Sequence, residues 1–226
     1  MSETTHPLDA PVWQALTTRQ AALARGDRSA RRIDPDYGLF AAVATHDPDS
    51  HAALAALVAP GETIGLFELA PPAALPGFRR TLTACCVQMV AADPPPSATD
   101  ALPLGDADAA EMIALAELTR PGPFFRRTQR FGGFLGIRID GRLAAMAGTR
   151  LALPGYREVS GVCTHPDYRG RGLAAGLIAA VAGAIHAAGD TPFLTSYADN
   201  AGAIALYRRL GFVPRDEIVL SLFERH

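Results

Sequence analysis

Thr164-His165-Pro166-Asp167-Tyr168-Arg169-Gly170-Arg171-Gly172-Leu173-Ala174 is the stretch on which the reading of this chain turns. Before it, Arg157 to Thr164 reads as a strand. After it, Leu173, Leu177, Val181 and Ile185 recur every four residues, the spacing of one helix face. A glycine-rich turn at a helix N-terminus aims several unpaired backbone N–H groups at one spot, backed by the positive end of the helix dipole. Gly170 and Gly172 let a phosphate approach the backbone, and Arg169 and Arg171 offer charge-assisted contacts. A helix entry that needs glycine only for its turn would look the same, so the surroundings decide. Thr191 to Ala198 reads as the next strand, which makes strand–helix–strand a parallel crossover.

Further on, Asp199-Asn200 opens a last helix that Gly211 ends, and Phe212 to Phe223 supplies terminal strand material. Further back, a short strand (Ala101 to Leu104) leads to a helix starting near Asp106, which Pro121-Gly122-Pro123 stops. Gly133 to Ile139 and Arg142 to Leu153 read as strands joined by the turn pair Asp140-Gly141. The fold class that follows is α/β of the α+β type: a mixed, mostly antiparallel sheet with one parallel crossover. Gly170-x-Gly172-x-x-Ala175 also fits a dinucleotide fingerprint. There, however, the first glycine follows its strand almost directly, whereas His165 to Arg169 intervene here, and too little chain remains for a dinucleotide-binding sheet.

Residues 1–97 read as an N-terminal α/β extension of unknown role, and residues 98–226 as the domain that carries the chemistry. Ala92-Asp93-Pro94-Pro95-Pro96-Ser97 is the linker between them. In the extension, residues 11 to 26 read as a helix, Tyr37 to Thr45 as a strand, and Asp47-Pro48 as the opening of a helix to about Ala59. Ile64 to Leu69 and Thr81 to Ala91 read as further strands. His46 and His51 stand close together, but a surface loop accounts for them without a metal.

Composition removes several classes. The 21 basic residues are outnumbered by 23 acidic ones, so no strongly basic nucleic-acid footprint exists. All 21 are Arg; without Lys there is no Walker A loop and no Schiff base. Cys85, Cys86 and Cys163 form no C-x-x-C pair, and no metal is implied. The longest run free of polar side chains, Leu173 to Ile185, is 13 residues, shorter than the ~18 of a membrane span. The N-terminus lacks a basic and then apolar leader pattern, so a cytoplasmic location is expected.

Arg169-x-x-Gly172-x-Ala174, between a strand and a helix, resembles the Q/R-x-x-G-x-G/A acyl-CoA loop of the GNAT N-acetyltransferase superfamily. Asn200-x-x-Ala203-x-x-x-Tyr207-x-x-x-Gly211-Phe212 resembles its second signature. Pro121-Gly122-Pro123-Phe124, Ala145-Met146-Ala147-Gly148 and Val162-Cys163-Thr164-His165-Pro166 look like a subgroup related to glycine N-acyltransferases. The resemblance covers about residues 98 to 226. It implies acetyl-CoA as co-substrate, with its pantetheine arm along Val162, Cys163 and Thr164 and its pyrophosphate on the amides from Arg169 through Gly170, Arg171, Gly172 and Leu173 to Ala174. Asn200 would join them from the last helix. The acceptor would be a small-molecule or peptide amine, and the resemblance admits a homodimer. The alternative is a non-catalytic acyl-CoA-binding or regulatory module.

Asn200 and Tyr207 are seven apart and share a helix face, which by resemblance looks at the pantetheine sulfur. Asn200 also suits an N-cap, a compatible role, and Tyr207 also suits core packing with Ile204 and Leu210. A phenol near ~10 is a poor proton source for a thiolate near ~8.5, so Tyr207 is assigned as hydrogen-bond stabiliser or proton donor. Glu158 lies eleven residues before Arg169, the offset at which some members of the superfamily place a general-base Glu. Strand alternation puts Glu158, Ser160, Val162 and Thr164 on one face. The other reading of Glu158 is an exposed strand-end carboxylate near Arg157. Cys163 alternates away from that face and reads as a buried structural thiol. Phe124-Phe125-Arg126-Arg127 would begin the acceptor wall and suggests an acceptor carboxylate.

Overall fold

The computed structural model describes residues 6–96 and 99–226; Ser97, Ala98 and the boundary expected between them lie outside it, as do Met1 to Thr5. An eight-stranded sheet organises the chain, in the order β4-β11-β5-β10-β9-β8-β7-β6. Its strands are β4 (Thr63–Glu68), β5 (Phe78–Val90), β6 (Leu102–Pro103), β7 (Leu135–Ile139), β8 (Arg142–Leu153), β9 (Tyr156–Thr164), β10 (Thr191–Tyr197) and β11 (Val213–Arg225). Every neighbouring pair is antiparallel except β9 and β10. The α+β reading with one parallel crossover therefore holds. β5 lies between β10 and β11, so strands from both sides of residue 97 share one sheet.

Helix α4 (Leu173–Ala187) makes the crossover, and its four-residue stripe packs as its spacing predicts: Leu177, Val181 and Ile185 are buried on one face of the sheet. Ala145, Ala147, Val159 and Leu194 meet it there, together with Tyr207 and Leu210 of α5 (Ala201–Arg209) and its following turn. Each such fully buried apolar side chain contributes roughly 1.5–3 kcal/mol. Strand alternation sends Phe193 and Met146 to the opposite face, where α1 (Pro11–Thr17) and α3 (Ala109–Thr119) cover them. A small second sheet, β1 (Ala24–Gly26), β2 (Ala30–Ile33) and β3 (Ala41–Val43), packs with α2 (Pro48–Ala56) at the β4 end.

Two N-terminal expectations change. The helix expected over 11–26 stops at Thr17, where the Thr17 hydroxyl donates back to the Trp13 carbonyl and the Thr18 hydroxyl to that of Gln14. Paired β-branched residues that bond back in this way end a helix readily. The single strand expected over 37–45 is instead β3 alone; its partners β1 and β2 carry arginines and no alternation that marks them.

The β9–β10 ladder is short: Thr191, Pro192 and Phe193 face Tyr156, Arg157 and Glu158, and the pairing then ends. Beyond it β9 stays with β8 while β10 turns to β5, so the two parallel strands splay. A bulge lies in β9 at the mouth of the splay, where the register slips between Met146↔Cys163 and Gly148↔Ser160. Gly161 there has φ +64°, and a Cβ on it would sit 2.8 Å from the Phe134 ring. Such a bulge bends and twists its strand, and here only glycine fits it.

Candidate active site

The bulge re-sorts the side chains of β9. Val159 and Val162 both pack on the α4 face, while Cys163 packs with Met146 beneath α3. Strict alternation across Glu158, Ser160, Val162 and Thr164 is therefore corrected: one extra residue reverses the faces after Gly161. Cys163 is buried, and burial pushes its thiol up to about 11, so it is protonated at neutral pH.

Gly172 is the N-cap of α4; both it and Gly170 have φ +76°, and the space where a Cβ would stand is open at both. Thr164, Tyr168 and the run Arg169 to Ala175 line one hollow over the helix N-terminus, with Leu206 of α5 opposite. The Thr164 hydroxyl is buried there without a hydrogen-bond partner among the described residues. Arg171 stacks over the Tyr168 ring at 5.2 Å, and His165 caps the turn by accepting from the Asp167 amide. The loop thus presents backbone at a helix N-terminus, an arrangement that suits an anion, with the arginine side chains at its exposed rim.

Asn200 caps α5, its side-chain oxygen accepting from the Ala203 amide. Two turns on, half-buried Tyr207 lies edge-on to Phe212, ring centres 6.2 Å apart. Burial raises its phenol above the usual value. Asn200 and Tyr207 line one cavity of about 170 Å³ together with Ser160 of β9 and Thr195, Ser196 and Tyr197 of β10. Phe40, Phe67, Arg150 and Leu220, which lie toward the opposite face, line it too. Residues from both faces of the sheet thus meet at one cavity by the splay.

Glu158 is not an exposed carboxylate beside Arg157, one of its two expected forms. It is 1% exposed and bound on both oxygens by Arg150: Nε donates to Oε2 at 2.8 Å and Nη2 to Oε1 at 2.7 Å, while the Leu151 amide donates at 3.4 Å. The guanidinium lies over the Phe40 ring at 4.7 Å and the Phe67 ring at 5.8 Å. Burial opposes its charge, but Glu158 outweighs burial and holds Arg150 above its usual range. The pair is arranged so that Arg150, not Glu158, meets the cavity.

Arg126 and Arg127 do not form the wall expected of them. Both pair with Asp36, at 2.5 and 3.5 Å, and Phe124 packs on Phe134; Pro121, Gly122 and Pro123 line the cavity instead. Leu39, Phe40, Phe67 and Arg150 were invisible as site residues from sequence. Their one signal is Arg150, a lone charge inside the apolar run Leu143 to Leu153. No cluster of three or more metal-binding side chains occurs among the described residues, and none of their helices is long and apolar enough to cross a membrane.

The sequence model of the FR47-like protein family matches residues 134–220. No curated protein matches the chain. Among solved structures, a GNAT-family protein from Novosphingobium aromaticivorans is 48% identical, with a TM-score of 0.92 over 98% of this chain and 99% of that one. A GCN5-related N-acetyltransferase from Kribbella flavida shares the fold at 22% identity, with a TM-score of 0.66 over 96% and 95% of the two chains. Another, from Sphaerobacter thermophilus, does so at 17% identity with a TM-score of 0.56, over 98% and 94%. With a relative 48% identical over nearly the whole of both chains, the chain belongs to the GNAT family of acetyltransferases.

Proposed function

We propose that the protein is an acetyl-CoA-dependent N-acetyltransferase that moves the acyl group directly onto an amine. The observation that carries this reading is the cavity at the splay, which Asn200 and Tyr207 line together with Phe40, Phe67 and Arg150. The residues fit the co-substrate: open space over Gly170 and Gly172, an unpartnered Thr164 hydroxyl, and the β9 edge left by the splay. Bound there, acetyl-CoA supplies an activated acyl group on sulfur. Val162, Cys163 and Thr164 offer backbone groups to its arm, and the amides from Arg169 to Ala174 hold its phosphates.

Tyr207 donates a hydrogen bond to the sulfur as negative charge grows on it. Its raised pKa makes full proton transfer costlier still, so stabilisation is the role this hydroxyl fills. Glu158 holds Arg150 and does not itself line the cavity, so its role is to position the guanidinium. The positive edge that Arg150 turns to the cavity disfavours an ammonium, so the acceptor reacts as its neutral fraction. Mixing protein, acetyl-CoA and an amine panel and following free thiol tests this reading. Acetyl-CoA should also raise the melting temperature and NAD should not. Stabilisation by acetyl-CoA with no amine consumed would leave a binding module.

A further inference from the structure

Arg150 uses Nε and Nη2 for Glu158, and among the described residues its third nitrogen, Nη1, has no hydrogen-bond partner. Arg150 itself lines the cavity, held by Glu158 from its Nε and Nη2 edge. A guanidinium held by a buried carboxylate on one edge, by two aromatic rings on its face and by nothing on its remaining edge is a rigid donor aimed at a ligand. Holding it so costs a buried ion pair, which hydrophobic residues of similar size would replace without loss of stability.

The charge around it narrows the ligand further. Among the described residues Arg150 is the one Arg, Asp or Glu on the cavity wall; no carboxylate of theirs lines it, and Glu158 is shut behind Arg150. A site for a polyamine or a lysine side chain favours a carboxylate for its ammonium, and the charged group on this wall is a donor instead. Beside the hydroxyls of Ser160, Thr195 and Tyr197, five apolar residues line the same side: Leu39, Phe40, Phe67, Leu220 and Leu222. Three of these five come from the N-terminal part of the chain, before residue 97.

Resting on the acyl-transfer reading, we propose that Arg150 anchors a carboxylate of the acceptor, and that the acceptor is an amine bearing both that carboxylate and an apolar arm. An amino acid with an apolar side chain is the simplest member of the class. The carboxylate meets Nη1, the side chain lies against Phe40 and Phe67, and the amino group is left toward Tyr207 and the thioester. The N-terminal extension thereby acquires a role, as the wall that selects the acceptor.

The test compares phenylalanine, phenylalaninamide and phenethylamine as acceptors of the intact protein, with kcat/KM expressed per neutral amine. A lost charge-assisted hydrogen bond predicts that the acid outruns the other two by about tenfold or more. Arg150→Met alone strands Glu158, so the variant is Arg150→Met with Glu158→Leu. It should bring the three acceptors within about threefold of one another, consistent with the loss of one bond, and keep the melting-temperature rise caused by acetyl-CoA. Should none of the three turn over, stabilisation of the CoA-bound protein by phenylalanine but not by phenethylamine supports the anchor, and no such difference overturns it. An amide or amine as good as the acid overturns the anchor and leaves acyl transfer standing. Absence of any acetyl-CoA shift in the unaltered protein sinks acyl transfer and the anchor together.

Discussion

Glu158→Gln separates two roles by more than an order of magnitude. The amide keeps the shape and one acceptor oxygen, but its NH₂ faces a guanidinium donor, and Arg150 is left buried without a counter-charge. Breaking a buried pair by removing one partner costs about 3–5 kcal/mol, and the surviving hydrogen bond places this case near ~3. In a chain of this length each kcal/mol lowers the melting temperature by roughly 2–4 °C, so a fall of about 6–12 °C is expected. An exposed carboxylate would move it by a few tenths of a kcal/mol, about 1 °C. Thermal unfolding followed by circular dichroism reads the shift directly. A rate–pH series below both transitions, with an acceptor of known pKa, reads the chemistry. We expect both proteins to show a rate that climbs as the acceptor amine loses its proton. A melting temperature within about 2 °C of the unaltered protein, with a rate depressed near neutral pH and recovered at high pH, would refute this reasoning and restore Glu158 as the base.

Tyr207→Phe should lower kcat by about tenfold or more while the stabilisation by acetyl-CoA persists, since the hydroxyl matters most as sulfur becomes negative; thiol-release kinetics and a melting series measure the two. Gly172→Glu should abolish the acetyl-CoA shift, because it strains a left-handed N-cap and puts like charge where phosphate would lie. Native protein at pH 8 should expose one fast thiol to a disulfide reagent, Cys85, while buried Cys86 and Cys163, each at about 11, react only on unfolding. Because those two thiols titrate higher folded than unfolded, they add stability below about pH 9 that is lost as pH climbs toward 11. Urea titrations at pH 8 and pH 10.5 check the sign, and Cys163→Ala should flatten the decline.

Legibility followed the range of the interaction. The loop, α4, its four-residue stripe and the Asn200 cap were readable because propensity, capping and amphipathic spacing act within a few residues. β8 was read with its observed bounds, since an Asp-Gly turn and a Pro-Gly turn bracket it. The bulge at Gly161 was not read: one glycine in a strand signals nothing until its neighbour, the Phe134 ring, is in place. The apolar wall of the cavity was hidden for the same reason at longer range. Leu39 and Phe67 become site residues only when β4 and β5 join the sheet beside β11, a pairing that no local pattern encodes. Glu158 was singled out by its offset, but its partner was not, because the bond joins two strands where their register slips, between Thr149↔Val159 and Ala152↔Arg157, and belongs to no motif.

The place of β5 also governs how the chain can be made. Cys85 and Val219 are ladder partners, and the first lies among residues synthesised long before the second leaves the ribosome. Until then β5 has no flanking strand on that side, and β10 and β11 cannot be joined without it. A separation of this size makes closure of the sheet a late and slow event. A fragment beginning at residue 99 would leave the facing edges of β10 and β11 bare, an invitation to pair with other chains. Expression of the C-terminal part alone should therefore give aggregates, and C-terminal tags should sit beyond Arg225, where the last ladder bonds are made.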